Sequence, residues 1–277
     1  MSRLWPDHLS LAIAPDRIVL VRARGGLRPQ AVAKTIVPVP QTNAEGGWNP
    51  ALQTLTKVLL ADRQWQDAQV SAVLSNEFAR YQLIPWSDEI TSTEERDAYV
   101  RQSFAQVYGD GVADWVYAVS AASRGAPWFA AAVEHALVEQ LEQAVGQAQS
   151  KLVSVMPHVM PAFNSARRAI KERDLWFVQV EKQQLLLALI LDGRWQTISR
   201  RHVSDVHWQV ELPLLLEREW RLKGLDQVPR TVAISAPEAH QAALDGAGKW
   251  VFHWLRPALR YGFSGRADAP YAMALGA

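Results

Sequence analysis

The sequence predicts a soluble α/β protein whose two halves have the same order of elements: three strands, a helix and a strand. Of its 277 residues, 49% are hydrophobic and 21% are charged, a composition typical of a globular chain with a large core. Hydrophobic periodicity gives the β-β-β-α-β order twice, in residues 8–74 and 175–235. Asp192-Gly193 between two apolar runs is a strong hairpin signal in the second half. The repeat is one of topology, because no residues match at a fixed period.

The first half is predicted to contain strands at 8–14, 17–24, 30–39 and 70–74, with a helix after the third. That helix begins at Asn49, since Pro50 suits the first turn of a helix. Leu52, Leu55 and Leu59 form its apolar stripe at helical spacing.

The middle of the chain is predicted to add strands at 78–84, 115–119, 128–133 and 152–156, and helices at 93–108, from about 134 to 149, and at 161–170. Thr93 is predicted as an N-cap, because Glu94 and Glu95 follow it in the first turn. The charged stretch 171–173 is the predicted boundary between a first lobe with an inserted subdomain, residues 1–172, and a second lobe, residues 173–277.

The second half is predicted to contain strands at 175–180, 185–191, 195–199 and 231–235, with a helix at 206–222. Pro213 is expected to kink or restart that helix. A turn at 246–249 precedes a last strand, 250–254. The small-residue tail, 264–277, is expected to pack as a final helix.

Composition excludes several classes of function. The chain has no cysteine, which rules out disulfides and thiolate chemistry and favours a reducing compartment. A net charge of +1 gives no electrostatic reason to expect nucleic acid as a partner. Met1–Asp7 lacks the features of a secretory signal, and the longest apolar run, Leu185–Leu191, is too short to cross a membrane. We therefore expect a cytoplasmic protein.

No motif for catalysis or metal binding is complete. Gly246-Ala247-Gly248-Lys249 departs from a phosphate-binding Walker loop, because Ala243 stands at the first glycine position and Trp250 replaces the hydroxyl residue. The seven histidines show no spacing of a helical zinc site, and no Gly-x-Ser-x-Gly elbow is present. We predict no catalytic residue and no metal ligand.

Two segments, together with the repeated halves and the opening strand-turn-strand, resemble the PilM group of pilus-assembly proteins. Leu74–Trp86 looks like the segment that leads out of the first sheet in that group, and Pro270–Ala277 looks like its final helix. The group includes the cytoplasmic domains of GspL in type II secretion and MshI-type proteins. The resemblance implies an actin-like (ribonuclease H-like) two-lobed fold.

The positions that correspond to the nucleotide loops of such proteins have changed. Ala12 and Ala14 stand where the first phosphate hairpin would have aspartate and glycine, and Gln179 and Glu181 stand at the equivalent places in the second. The adenosine-binding turn contains Ala236 and Pro237 instead of glycines. The comparison implies that the chain has no ATPase activity and binds no nucleotide cofactor.

The resemblance implies a non-catalytic scaffold of a type IV pilus or type II secretion-like platform, recruited to the inner membrane by the cytosolic tail of a protein resembling PilN. The assembly ATPase is a second implied partner. The tail is expected in a groove between subdomains or on an edge strand, with Phe78, Arg80, Tyr81 and Trp86 as candidate contacts.

Three alternatives remain open at this point. In the first alternative, the chain is an actin- or sugar-kinase-type ATP-binding enzyme with unusual phosphate loops. Asp16, Asp174 and Asp192 are then the acids nearest the hairpins. In the second alternative, the chain is a filament-forming relative of actin. In the third alternative, the chain has a different fold, in which these loops never bound nucleotide.

Overall fold

The computed structural model describes residues 6–27, 29–40, 47–120, 123–167, 169–224, 229–239, 244, 248–257 and 259–276. The strands are β1 (His8–Ile13), β2 (Arg17–Arg24), β3 (Gln30–Pro38), β4 (Gln69–Leu74), β5 (Arg80–Ile84), β6 (Trp115–Val119), β7 (Trp128–Glu134), β8 (Lys151–Pro157), β9 (Leu175–Glu181), β10 (Gln184–Leu191), β11 (Arg194–His202), β12 (Thr231–Ser235) and β13 (Val251–Trp254). The α-helices are α1 (Asn49–Ala61), α2 (Thr93–Tyr108), α3 (His135–Gln147), α4 (Val159–Ala166), α5 (Trp208–Lys223) and α6 (Ala272–Leu275).

The described strands form two five-stranded sheets of identical topology and one three-stranded sheet. The first sheet has the order β3-β2-β1-β4-β8 and the second the order β11-β10-β9-β12-β13. In each, three antiparallel strands are followed by two parallel ones. The predicted repeat of β-β-β-α-β is therefore confirmed. The third sheet, β5-β7-β6, is antiparallel and comes from the inserted segment.

Both faces of the first sheet are covered, which is why five of the six residues of β1 are buried and four of the six are apolar. On one face, Leu11 of β1 packs in a cluster with Leu55 of α1 and Leu141 of α3. On the other face, Ala12 packs with Leu275 of α6. The last described helix, α6, therefore covers the second face of the first sheet.

The second sheet is also covered on both faces. Leu212 and Leu216 of α5 pack on one face with Leu187 of β10. The other face contacts the three-stranded sheet and α4, since Phe129 of β7 and Val159 share a cluster with residues of β9 and β10. The three-stranded sheet therefore lies against the second five-stranded sheet, although the inserted segment follows β4 of the first. We call each five-stranded sheet, with the elements packed on it, a lobe.

Several predicted details need correction. Ser92, not Thr93, is the N-cap of α2, and it forms a capping box with Glu95. The helix α5 is not restarted at Pro213, which lies inside one continuous helix. Residues 76–78 form a 3₁₀ turn before β5, so the strand begins at Arg80.

The predicted division at residue 172 stays a prediction. Helix α4 precedes that point yet packs in the cluster of the second sheet, and α6 follows it yet packs on the first. The Walker-like segment lies largely outside the described residues, because 243 and 245–247 are not described.

Candidate functional site

A cleft between the lobes lies at the carboxyl ends of the central strands, where open α/β sheets bind ligands. Backbone hydrogen bonds bring the ends of β1, β4 and β8 together: the N–H of Ser75 donates to Ile13 O over 2.8 Å, and that of His158 to Leu74 O over 2.9 Å. The end of β9 faces this edge from the second lobe. The cleft is filled by the protein's own polar side chains.

Glu181, the last residue of β9, reaches from the second lobe into the first. Its carboxylate accepts hydrogen bonds from the Ser75 hydroxyl, from the backbone N–H of Asn76 at 3.1 Å and from Asn76 Nδ2 at 2.8 Å. His158 Nδ1 lies 2.7 Å from the same carboxylate. Only 12% of the Glu181 side chain is exposed, so protein groups alone hold this carboxylate in the interior.

Asn76 is the centre of this cluster. It is buried and donates through Nδ2 to Gln179 Oε1 at 2.9 Å, while its Oδ1 accepts from the Tyr81 hydroxyl at 2.5 Å and from the backbone N–H of Val159 at 3.1 Å. Gln179 in turn donates to the carbonyl oxygen of His158. We call Ser75, Asn76, Tyr81, His158, Gln179 and Glu181 the interlobe cluster.

The electrostatics of the interlobe cluster favour an ionised Glu181. Burial alone would raise the pKa of that carboxyl, but hydrogen bonding and attraction to His158, with the donors Ser75 and Asn76, lower it below its ordinary value. Burial raises the pKa of Tyr81 well above its ordinary value, so its hydroxyl stays a donor.

The two hairpins of the cleft also contact each other directly. Lys182 Nζ lies 3.4 Å from Asp16 Oδ2, which joins the β9–β10 turn to the β1–β2 turn. Arg17 binds Glu238 with two parallel hydrogen bonds, one of them 2.6 Å long, and so ties the start of β2 to the turn after β12. All these residues lie where the resemblance predicts phosphate and base loops.

The predicted loop positions have different surroundings. Ala12 is buried against α6, and Ala14 is a turn residue whose N–H donates to Arg17 O. Ala236 is buried in the core of the second lobe. Pro237 lines a small cavity between α4, the turn after β12 and α6.

That cavity has a volume of about 40 Å³, whereas sites for drug-sized ligands are about 300–1,000 Å³. Its walls include His158, Pro161, Ser235 and Met273. The cavity has room for water-sized molecules and is far smaller than a nucleotide.

The three candidate acids of the enzyme alternative do not converge. Asp16 pairs with Lys182 in the cleft. Asp174 and Asp192 lie at the opposite end of the β9–β10 hairpin, where Asp192 pairs with Arg173. That is the length of a seven-residue strand from the cleft, about 20 Å. Asp174 and Asp192 therefore adjoin the strands of this hairpin, as the sequence indicates, but at the end away from the cleft.

A second concave site, which we call the groove, opens between the start of α1 and the three-stranded sheet. It has a volume of about 70 Å³. Aromatic and charged side chains dominate its lining: Trp48, Phe78, Trp115, Glu77, Arg80 and Glu134. Trp48, the residue before α1, is fixed by a 2.7 Å hydrogen bond from Nε1 to Glu134 at the end of β7.

Two of the four predicted partner contacts, Phe78 and Arg80, line the groove. Tyr81 points inward, with its hydroxyl in the interlobe cluster and its ring 5.8 Å from that of Phe129. Trp86 packs against Trp128, 5.2 Å away. Strand β5 lies at the edge of its sheet as predicted, but its outer side faces β11 of the second lobe.

Sequence reasoning missed Trp48, Trp115 and Glu134 in the groove and His158 in the cleft. A tryptophan directly before a predicted helix is a weak signal for Trp48. No local pattern indicates His158, because its contact with Glu181 depends on how two lobes meet.

No protein-family model matches the chain, and no curated protein matches it by sequence. Solved structures match it by fold. A PilM–PilN type IV pilus biogenesis complex aligns with a TM-score of 0.70 at 18% identity, covering 97% of this chain and 96% of the other. The cytoplasmic domain of EpsL, an inner-membrane component of the type II secretion system of Vibrio cholerae, aligns with a TM-score of 0.61 at 9% identity, covering 98% and 95%.

A Bacteroides thetaiotaomicron protein with an actin-like ATPase fold and unknown function aligns with a TM-score of 0.59 at 8% identity, covering 97% and 95%. The chain therefore has the actin-like fold, and the predicted resemblance is confirmed at that level. Among the described helices, none combines the length and apolar character needed to cross a membrane.

Proposed function

We propose that this protein is a non-catalytic scaffold that binds the cytosolic tail of an inner-membrane protein in the groove, within a type IV pilus or type II secretion-like assembly platform. The observation that supports this most strongly is the groove itself, in a fold shared with one partner of a PilM–PilN complex. In this proposal the protein is cytoplasmic and reaches the membrane through that tail. The assembly ATPase is a second proposed partner.

At about 70 Å³ the groove has room for one side chain of a peptide that lies across its rim, and its lining suits such a contact. Trp48, Phe78 and Trp115 offer aromatic walls, and buried aromatic side chains dominate the energetics of protein interfaces. Among the described lining residues, the carboxylates of Glu77 and Glu134 outnumber the single guanidinium of Arg80. Cytosolic segments next to membrane helices carry an excess of lysine and arginine, which is the complementary charge.

The contents of the cleft support the part of the proposal that the scaffold works without a bound nucleotide. Glu181 places a buried negative charge among the donors that an anionic ligand would need. A phosphate entering there would have to displace this carboxylate and break the pairs Asp16–Lys182 and Arg17–Glu238. We infer that the cleft fixes the two lobes to each other and that binding takes place in the groove.

The test is the affinity of a labelled synthetic peptide for the purified protein, measured by fluorescence anisotropy. The peptide is the cytosolic tail of the membrane protein encoded by the adjacent gene. Phe78→Ala, which removes an aromatic wall, and Glu77→Lys, which reverses a negative charge of the lining, are expected to weaken binding about 30-fold, the effect of a 2 kcal/mol interface hot spot.

The matched controls are Leu214→Ala and Glu172→Lys, both exposed and outside the groove lining. They should bind the peptide like the wild-type protein. Failure of the wild-type protein to bind, or equal binding by the groove variants, contradicts the proposed function.

A further inference from the structure

One turn, Ser75–Ala79, joins the groove to the interlobe cluster. It connects β4 to β5 and presents Glu77 and Phe78 to the groove. Its first two residues, Ser75 and Asn76, hold the carboxylate of Glu181. The conformation of this groove wall therefore depends on the contacts that the same turn makes with the interlobe cluster.

Arg200, on β11 of the second lobe, makes the most extensive of these contacts and is absent from the groove lining. Its Nη1 donates to the carbonyl oxygens of Asn76 at 2.7 Å, Glu77 at 2.8 Å and Ala79 at 3.4 Å. Hydrogen bonds from a guanidinium are among the strong ones. The Glu77 carboxylate lies 3.7 Å from the same nitrogen. Because Nη1 carries two hydrogens, it holds the carbonyls of Asn76 and Glu77 directly and shares a hydrogen with the more distant carbonyl of Ala79.

Arg80 shares two of these acceptors. Its Nη1 donates to the carbonyl oxygens of Glu77 at 3.0 Å and Ala79 at 3.1 Å. Burial and the neighbouring charge of Arg200 both lower the pKa of Arg80. The two arginines are therefore close together, and the place of Arg80 in the groove depends on the carbonyls that Arg200 orients.

We propose that Arg200 is a positioning residue for the groove: from the second lobe, it holds the turn that carries Glu77 and Phe78 in the conformation that receives the tail. This inference rests on the proposed function. A preformed binding surface loses less conformational freedom on association, so loosening the turn weakens binding without removing any atom that touches the peptide.

The chain offers a matched control next to Arg200. Arg201 points to the opposite face of β11 and binds Glu219 of α5 within its own lobe. Arg201→Ala removes an arginine of the same strand that has no contact with the turn. Arg200→Lys keeps the charge, but an ammonium lacks the planar fork of a guanidinium.

The experiment combines hydrogen–deuterium exchange of the free proteins with the affinity of the same tail peptide. In Arg200→Ala and Arg200→Lys, amide exchange in residues 75–84 is expected to accelerate about tenfold or more, while α5 and the strands of the first sheet keep wild-type protection. Peptide affinity is expected to fall about tenfold. Arg201→Ala should leave the peptide affinity and the exchange of residues 75–84 unchanged, and the loss of its pair with Glu219 should affect exchange in α5 instead.

Failure of this inference is distinguishable from failure of the proposed function. If the wild-type protein binds the peptide and both Arg200 variants bind it equally well, the positioning role is overturned and the groove function stands. If the wild-type protein binds no peptide, the proposed function fails, and exchange alone decides: wild-type protection of residues 75–84 in Arg200→Lys overturns the role of Arg200. Should Arg200→Ala not fold, Arg200→Lys supplies both readouts.

Discussion

Replacing Glu181 by alanine is expected to destabilise the protein strongly. The carboxylate accepts from Ser75, from two groups of Asn76 and pairs with His158. Its removal leaves these donors in an interior site without their acceptor, and each buried unsatisfied group costs about 1–3 kcal/mol. Because the donors share one acceptor and partly relax, we expect a loss of about 3–5 kcal/mol in the free energy of unfolding.

The assay is guanidinium-induced unfolding, followed by tryptophan fluorescence and circular dichroism. Glu172→Ala is the control, because Glu172 is exposed and its carboxylate accepts only from a neighbouring backbone N–H among the contacts described. Such surface changes usually stay within about 0.5 kcal/mol. A Glu181→Ala protein as stable as the control would refute the idea that the interlobe cluster joins the lobes.

Three further predictions concern single interactions. The pKa of Glu181 is lowered below its ordinary 4.5, so its contribution to stability is present above pH 4.5 and is lost as the pH falls through the folded-state pKa; acid titration of Glu181→Gln should lack this loss. Ser92→Ala removes the N-cap of α2 and should cost about 1 kcal/mol in thermal unfolding. Asp16→Asn breaks a partly exposed pair with Lys182 and should change the free energy of unfolding by at most about 1 kcal/mol.

Local patterns predicted most of the fold. Helix α2 (Thr93–Tyr108) lies within one residue of its prediction, because its acidic first turn and the glycine after it are local signals. Strand β12 also has its predicted bounds, Thr231–Ser235. Errors occurred where tertiary packing decides: α5 continues through Pro213 because its apolar side is held against the second sheet.

The candidate site was less predictable, since its residues meet through the packing of separate elements. The sequence indicated that Glu181 stands in place of a glycine, but not that its carboxylate turns to Asn76 and His158 of the other lobe. Arg200 lies 124 positions from Asn76, and no periodicity relates them. Phe78 and Arg80 were candidates because they belong to the predicted edge strand 78–84, and both line the groove. Trp48 lines it too, but it precedes α1 and no local pattern relates it to that strand.

The most direct test of the central claim is thermal unfolding of the purified protein with the tail peptide and, separately, with millimolar Mg-ATP. A ligand that binds only the folded state at 100 times its Kd stabilises it by about 2.7 kcal/mol. A partner-binding scaffold with a self-filled cleft predicts that the peptide raises the Tm by several degrees and that Mg-ATP leaves it unchanged. A Tm raised by Mg-ATP and unaffected by the peptide would contradict that claim.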